Sequence, residues 1–207
     1  MGGKIMKAKL PHIDADLIRA ALALISVNDD PRMLTKVVHI NNQYIEATNG
    51  HALIRMKHNA EFDQDVAVQF VYSVPEEAEF LDINIHDDGS HTVTYYRQDR
   101  DEEFRPFEKS KLVLMQERYP DLSNLLDCKH KEGKTPYIAS VYLALPYLMF
   151  GRGSVDVLPS EDSRSVLFSM DALTSEIYGE PILIAMAMEK DIHKLSQSLR
   201  DQIMGID

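Results

Sequence analysis

An α+β fold of antiparallel sheets with few helices is what this sequence predicts, and three observations carry it. Near the start, Ile13, Leu17, Ala20, Ala21 and Leu24 recur at helical spacing and form one apolar face. Beyond it the chain is mostly short apolar runs separated by turn residues, the pattern of strands rather than of further long helices. Among these, the arms Ala47-Thr48 and Ala52-Leu53-Ile54 flank Asn49-Gly50, a pair that tolerates positive φ and therefore closes a hairpin with a shaped corner.

Taken in order, a short strand is expected over Ile5 to Leu10, then the amphipathic helix, with Asp14 as its cap. Two strands follow, Thr35 to Asn41 and Gln43 to Thr48, and Gly50-His51 turns the chain into a third, Ala52 to His58. Val66 to Tyr72 supplies another. Pro75 to Leu81 can make about two helical turns. Asp82 to His86 and His91 to Arg97 then read as a strand pair around Asp87-Asp88-Gly89. Gln98 to Glu108 alternates in charge and reads as a solvated loop or strand extension, and Lys111 to Met115 as a strand. Asp127 to Thr135 is polar, contains glycine and lacks an apolar period, which marks a linker. Val141, Leu145, Leu148 and Met149 mark a helix that Pro146 kinks or shortens. Val155 to Leu158, Ser165 to Met170 and Pro181 to Met188 are strands. Ile192, Leu195, Leu199 and Ile203 place an apolar stripe on a carboxyl-terminal helix.

Composition narrows the classes. A chain of 207 residues with 44% hydrophobic content can bury a real core. It has no run of eighteen apolar residues, and Met1 to Lys7 lacks the apolar stretch of a secretory signal, so a cytoplasmic protein without membrane contact is expected. The single cysteine, Cys128, fits a reducing compartment. A formal charge of -11 argues against a surface that coats nucleic acid uniformly, because each phosphate contact needs a cation. It leaves room for a locally basic surface.

Three stretches together resemble one family. Ala47-Thr48-Asn49-Gly50-His51-Ala52-Leu53-Ile54, Glu117-Arg118-Tyr119-Pro120-Asp121-Leu122-Ser123-Asn124-Leu125-Leu126, and Pro181-Ile182-Leu183-Ile184-Ala185-Met186-Ala187-Met188 are similar, in order and spacing, to segments of bacterial DNA polymerase III beta subunits, the sliding clamps. The first resembles a hairpin of the clamp's middle domain, the second the Pro-Asp segment closing that domain, and the third the terminal strand of the last domain. The resemblance runs over about residues 8 to 190. It implies a DNA clamp-like fold of about one and a half clamp domains where the bacterial clamp has three, a shortened form that would suit a phage. On that resemblance, residues 1–127 correspond to the middle domain, 128–136 to a linker, 137–190 to half of the last domain, and 191–207 to a helix outside the clamp pattern.

In the clamp family these three stretches converge on a hydrophobic cleft that captures short peptides of polymerases and clamp loaders. Carried over by position, Thr48, Gly50, His51 and Leu53 would form one wall, Pro120 and Leu125 the next, and Ile184, Met186 and Met188 the third, with Leu34 as a contributor. Methionines adapt to several ligands, and Gly50 lets a peptide approach the backbone. A terminal strand rich in Ile and Met can equally complete a core. The sequence also departs from the family: Ala52 stands in place of an arginine, Ala187 of a proline, and Glu189 of a basic residue. Clamp helices line a lumen around double-stranded DNA without reading bases; here Lys7, Lys9, Arg19, Lys129, Lys131, Lys134 and Arg152 are the candidate cations.

No catalytic constellation with convincing spacing is present, no cofactor is implied, and His86-Asp87-Asp88 with His91 reads first as a turn. Two functions follow. One is a replication processivity factor that binds client peptides and encircles DNA as a homo-oligomer. The other is a clamp-like adaptor or decoy that keeps the cleft without the ring. A third makes the His-Asp cluster a metal-dependent catalytic site.

Overall fold

The computed structural model of the protein describes residues 12–27, 32–99, 103–151 and 153–188. The expected strand over Ile5 to Leu10, the candidate cations Lys7, Lys9 and Arg152, and the carboxyl-terminal helix lie outside the described residues.

Among the described residues, eleven strands form one continuous sheet in which every neighbouring pair is antiparallel. They are β1 (Ile13–Asp14), β2 (Val38–Ile40), β3 (Tyr44–Thr48), β4 (Ala52–Lys57), β5 (Val66–Phe70), β6 (Phe80–Asn84), β7 (Thr92–Gln98), β8 (Phe104–Leu114), β9 (Val155–Pro159), β10 (Ser165–Met170) and β11 (Ile182–Met186). The spatial order is β1-β6-β7-β8-β5-β2-β3-β4-β11-β10-β9. Strand β8 is long enough to serve two partners, pairing with β7 along Phe104 to Lys111 and with β5 along Leu112 to Leu114. Of the charged segment read as a solvated loop or strand extension, Gln98 ends β7 and Phe104 to Glu108 form the first half of β8.

Helix α1 (Ala15–Ser26) begins at Asp14, whose carboxylate accepts from the Asp16 amide, as the sequence predicts. Its buried face, Leu17, Ile18, Ala21 and Leu24, packs on β2, β3 and β4. Because side chains alternate across a strand, one row across the sheet turns into the common core, with Val38, Ala47 and Ile54 on the strands under α1 and Leu183 and Phe168 continuing it, all buried. Each large aliphatic group so placed contributes about 2 kcal/mol.

Two expectations need correction. Thr35 and Lys36 belong to a 3-10 turn, Met33–Lys36, so β2 starts only at Val38; Thr35 caps the Arg32 carbonyl through its hydroxyl, and that local bond competes with strand pairing. Pro75 to Leu81 makes no helix: a turn at Pro75 to Ala78 leads into β6, which starts at Phe80. There the guanidinium of Arg19 collects the carbonyls of Pro75, Glu76 and Ala78, which an α-helix would have used internally.

In the carboxyl-terminal part, short helices α2 (Ser123–Leu126), α3 (Ser140–Leu143) and α4 (Leu145–Phe150) precede β9, and α5 (Ala172–Ile177) lies between β10 and β11 along the chain. Pro146 sits in the first turn of α4, where its missing N–H is not needed, so the expected single helix is split at Ala144. Helix α4 ends at Gly151, with φ 72°, and packs on α1 through Leu145, Met149 and Phe150. The helix α5 was not legible from apolar spacing; its signal was the cap Asp171, which accepts from the amides of Leu173 and Thr174. Among the described residues, no helix is long and apolar enough to cross a membrane.

Candidate functional site

The sheet face turned away from α1 carries two adjoining rows. One is polar: Ala67, His39, Glu46, Arg55 and Ile182 stand side by side in register. The next is apolar: Thr48, Leu53, Ile184, Leu167 and Leu158. The segment from Tyr119 to Leu126 crosses this face, and Tyr119 and Leu122 form a second small core with Val37, Leu53, Ala67 and Ile184.

Tyr119 is fixed by the polar row. Its ring stacks on His39 at 4.5 Å between centroids. His39 places Nδ1 2.8 Å from Glu46 Oε2 and Nε2 2.7 Å from Asp65 Oδ1. Arg55 donates from Nε to the other oxygen of Glu46 and lies over the Tyr44 ring. A ring facing two carboxylates donates to both only when doubly protonated. Burial alone would lower the His39 pKa, but the hydrogen bonds to Glu46 and Asp65 outweigh it and hold the pKa above its ordinary value. Burial would likewise raise Glu46, and the bonds from His39 and Arg55 hold it below the ordinary carboxylate value.

The corner is built by Asn49, which is wholly buried. Its amide donates to the Leu24 carbonyl at the end of α1, and its oxygen accepts from the amides of Ala52 (2.8 Å) and His51 (3.1 Å). Gly50 takes φ 86°, a conformation that L side chains rarely adopt. Asn49→Ala removes three side-chain bonds to the backbone and loosens the corner from α1; we expect a loss of about 2 kcal/mol in urea unfolding.

The last strand runs directly past this corner. The Met186 amide donates to the His51 carbonyl at 2.7 Å, and the Met188 amide to the Tyr137 carbonyl at 2.8 Å. The His51 ring lies 6.1 Å from that of Tyr142 on α3. Thus Thr48, Gly50, His51, Leu53, Ile184 and Met186 are brought together by strand pairing. Leu53 and Ile184 are its floor, buried under Tyr119 and Leu122, while Gly50, His51, Pro120 and Leu125 are exposed and Thr48, Met186 and Met188 half-buried. Leu34 is half-buried in the 3-10 turn that packs on β3. Beside this floor lies a groove of about 340 Å³, lined by Leu126, Cys128, His130, Leu167, Ile182 and Ile184 among others. Sequence reasoning missed Leu122, Tyr137, Tyr142 and the His39, Glu46, Arg55 row; only the every-second-residue spacing of β2 to β4 signals the last.

The candidate cations are arranged differently. Arg19 is engaged by Asp16 and three carbonyls. Lys129, Lys131 and Lys134 are exposed along the stretch before α3, and Lys131 pairs with Glu161 at 3.2 Å. Among the described residues the helices α1 to α5 carry no cation besides Arg19. In the His86 to His91 turn, the His86 amide donates to the His91 ring, and Asp88 accepts from the Ser90 amide and hydroxyl.

No family model and no curated protein matches the sequence. Among solved structures, the chain is similar to the DNA polymerase sliding clamp from Bacillus subtilis, with a TM-score of 0.55 and 12% identity, over 92% of this chain and 67% of that one. The DNA polymerase III subunit beta from Pseudomonas aeruginosa aligns with a TM-score of 0.38 and 11% identity, over 91% of this chain and 70% of that one. The fold is thus the sliding-clamp fold, mostly antiparallel sheet with few helices.

Proposed function

We propose that this chain is a clamp-type replication factor that performs no chemistry and holds client peptides on the surface where the Asn49-Gly50 corner, the Tyr119 to Leu126 segment and the end of β11 meet. The observation that carries this reading is their convergence: the corner and the methionine-bearing strand exchange a backbone hydrogen bond, and the crossing segment roofs the same apolar row. An extended apolar peptide would lie along His51, Met186, Met188 and Leu125, entering the groove beside Ile184. Its clients would be short motifs of a polymerase or clamp loader.

The test is fluorescence anisotropy with a labelled peptide carrying the hydrophobic clamp-binding motif of a polymerase. Binding by the unmodified chain is expected, and Met186→Lys should weaken it by about tenfold or more, since it puts a charge where an apolar contact is made. Failure of the unmodified chain to bind, or equal binding by a folded variant, removes the reading.

A second reading concerns assembly, and the helix layer favours it. A ring sliding on DNA needs cations on its inner wall, and among the described residues helices α1 to α5 offer only Arg19, already bound to carbonyls. An adaptor that keeps the peptide surface without encircling DNA fits that layer better than a homo-oligomeric ring. Retention on nicked circular DNA that is lost on linearisation would restore the ring.

A further inference from the structure

We infer that the peptides held on this surface carry a basic residue within three positions of the apolar side chain that enters the groove beside Ile184. The inference rests on the peptide surface proposed above and adds the chemistry of its far end. That groove, of about 340 Å³, is not apolar throughout. Next to Leu53 its lining is Ile184 and Leu167, with Leu126 across from them; farther along it becomes Ser169 and Glu180. Ser169 lies two residues beyond Leu167 on β10 and shows the same face, and Asp156 of β9 stands opposite Ser169 in register, on that face too. Two carboxylates, one from the edge strand and one from the turn before β11, thus flank the end of an apolar trough.

Among the described residues that line the groove there is no lysine or arginine to balance them. Arg55, level with Ile182, is turned onto Glu46, and Lys131, next to His130, onto Glu161. Glu180 pairs with Lys57, but the two side chains are 70% and 51% exposed, and a pair in that much water is weak enough for an arriving cation to compete with it. Asp156 is exposed. One to three extended residues carry a bound chain about 3 to 11 Å past its anchor. Leu167 and Ser169, as alternate residues of a strand, are roughly 7 Å apart, so a lysine or arginine at that distance arrives beside both carboxylates. An acidic residue there would meet two like charges.

Fluorescence anisotropy tests this with three labelled peptides that share the hydrophobic clamp-binding motif and differ only in the pairs flanking it on both sides, Lys-Lys, Ser-Ser or Glu-Glu. At low salt the lysine peptide should bind about tenfold tighter than the glutamate peptide, with the gap closing as ionic strength rises. In Asp156→Asn combined with Glu180→Gln the gap should shrink to about twofold. Glu61→Gln combined with Asp63→Asn removes the same charge between β4 and β5 and should leave the gap at about tenfold. Equal affinity of the unmodified chain for all three peptides overturns the inference and leaves the peptide surface standing. So does a gap that the Asp156 and Glu180 variant keeps, which would be attraction to the net charge of -11. Binding of none of the three removes the surface and the preference with it.

Discussion

Glu46→Ala is expected to destabilise the protein by about 3 kcal/mol, because it removes the shared acceptor of His39 and Arg55 beneath Tyr119. Glu46 is 4% exposed, so water replaces it poorly. Asp65, the other partner of His39, is exposed, and holds the ring from one side only. The loss should reach the peptide surface too, since His39 stacks on Tyr119 and Tyr119 leads into Pro120 to Leu125. Tyr119→Phe keeps the ring and should leave stability close to unchanged, which separates stacking from the phenol. Urea midpoints of the three proteins are the measurement; a Glu46→Ala midpoint equal to the unmodified one would mean the row holds nothing in place.

The same row gives a pH dependence whose sign is fixed. The His39 pKa is raised on folding, so its contribution is fully present below the ordinary value of 6.5 and is lost as pH rises through the folded value. The Glu46 pKa is lowered, so its contribution is present above the ordinary value of 4.5 and is lost as pH falls through the folded one. The row therefore stabilises most between about 4.5 and 6.5. Stability of Glu46→Gln should vary less with pH on both flanks of that window than stability of the unmodified chain.

Elements whose signal is local were legible in the sequence, and those that depend on distant partners were not. The α1 face, the Asp14 cap and the Asn49-Gly50 corner each write their conformation into a few neighbouring residues. So do the strands β3, β4, β10 and β11, each a short run of mostly apolar and β-forming residues. The turn at Pro75 to Ala78 is different, because it exists through Arg19, more than fifty residues away. The proximity of the corner to the last strand was reached through resemblance and not through periodicity, since no local pattern tells β4 that β11 is its neighbour. The polar row shows the same limit: His39, Glu46 and Arg55 look like solvated strand residues until Tyr119 covers them.

Phe168→Ala should cost about 3–5 kcal/mol, the largest effect of any substitution considered, through a cavity in the main core that rigid neighbours cannot close. Phe168 is 1% exposed and pairs with Leu183, which in turn pairs with Ile54 across the junction of β11 and β4. That junction and the contact of α4 with α1 join the carboxyl-terminal strands to the rest of the sheet. If residues 137–190 formed a domain that unfolds by itself, the variant would shift one of two transitions. With β11 hydrogen-bonded between β4 and β10, and one core beneath all three, we expect a single transition that shifts as a whole. The chain has no tryptophan, so its tyrosines can report: Tyr95 and Tyr119 are buried outside the region of Phe168. Their fluorescence should move to lower urea together with far-UV ellipticity. A tyrosine transition left in place while part of the ellipticity shifts would show that the boundary near residues 128–136 separates two independently folding units.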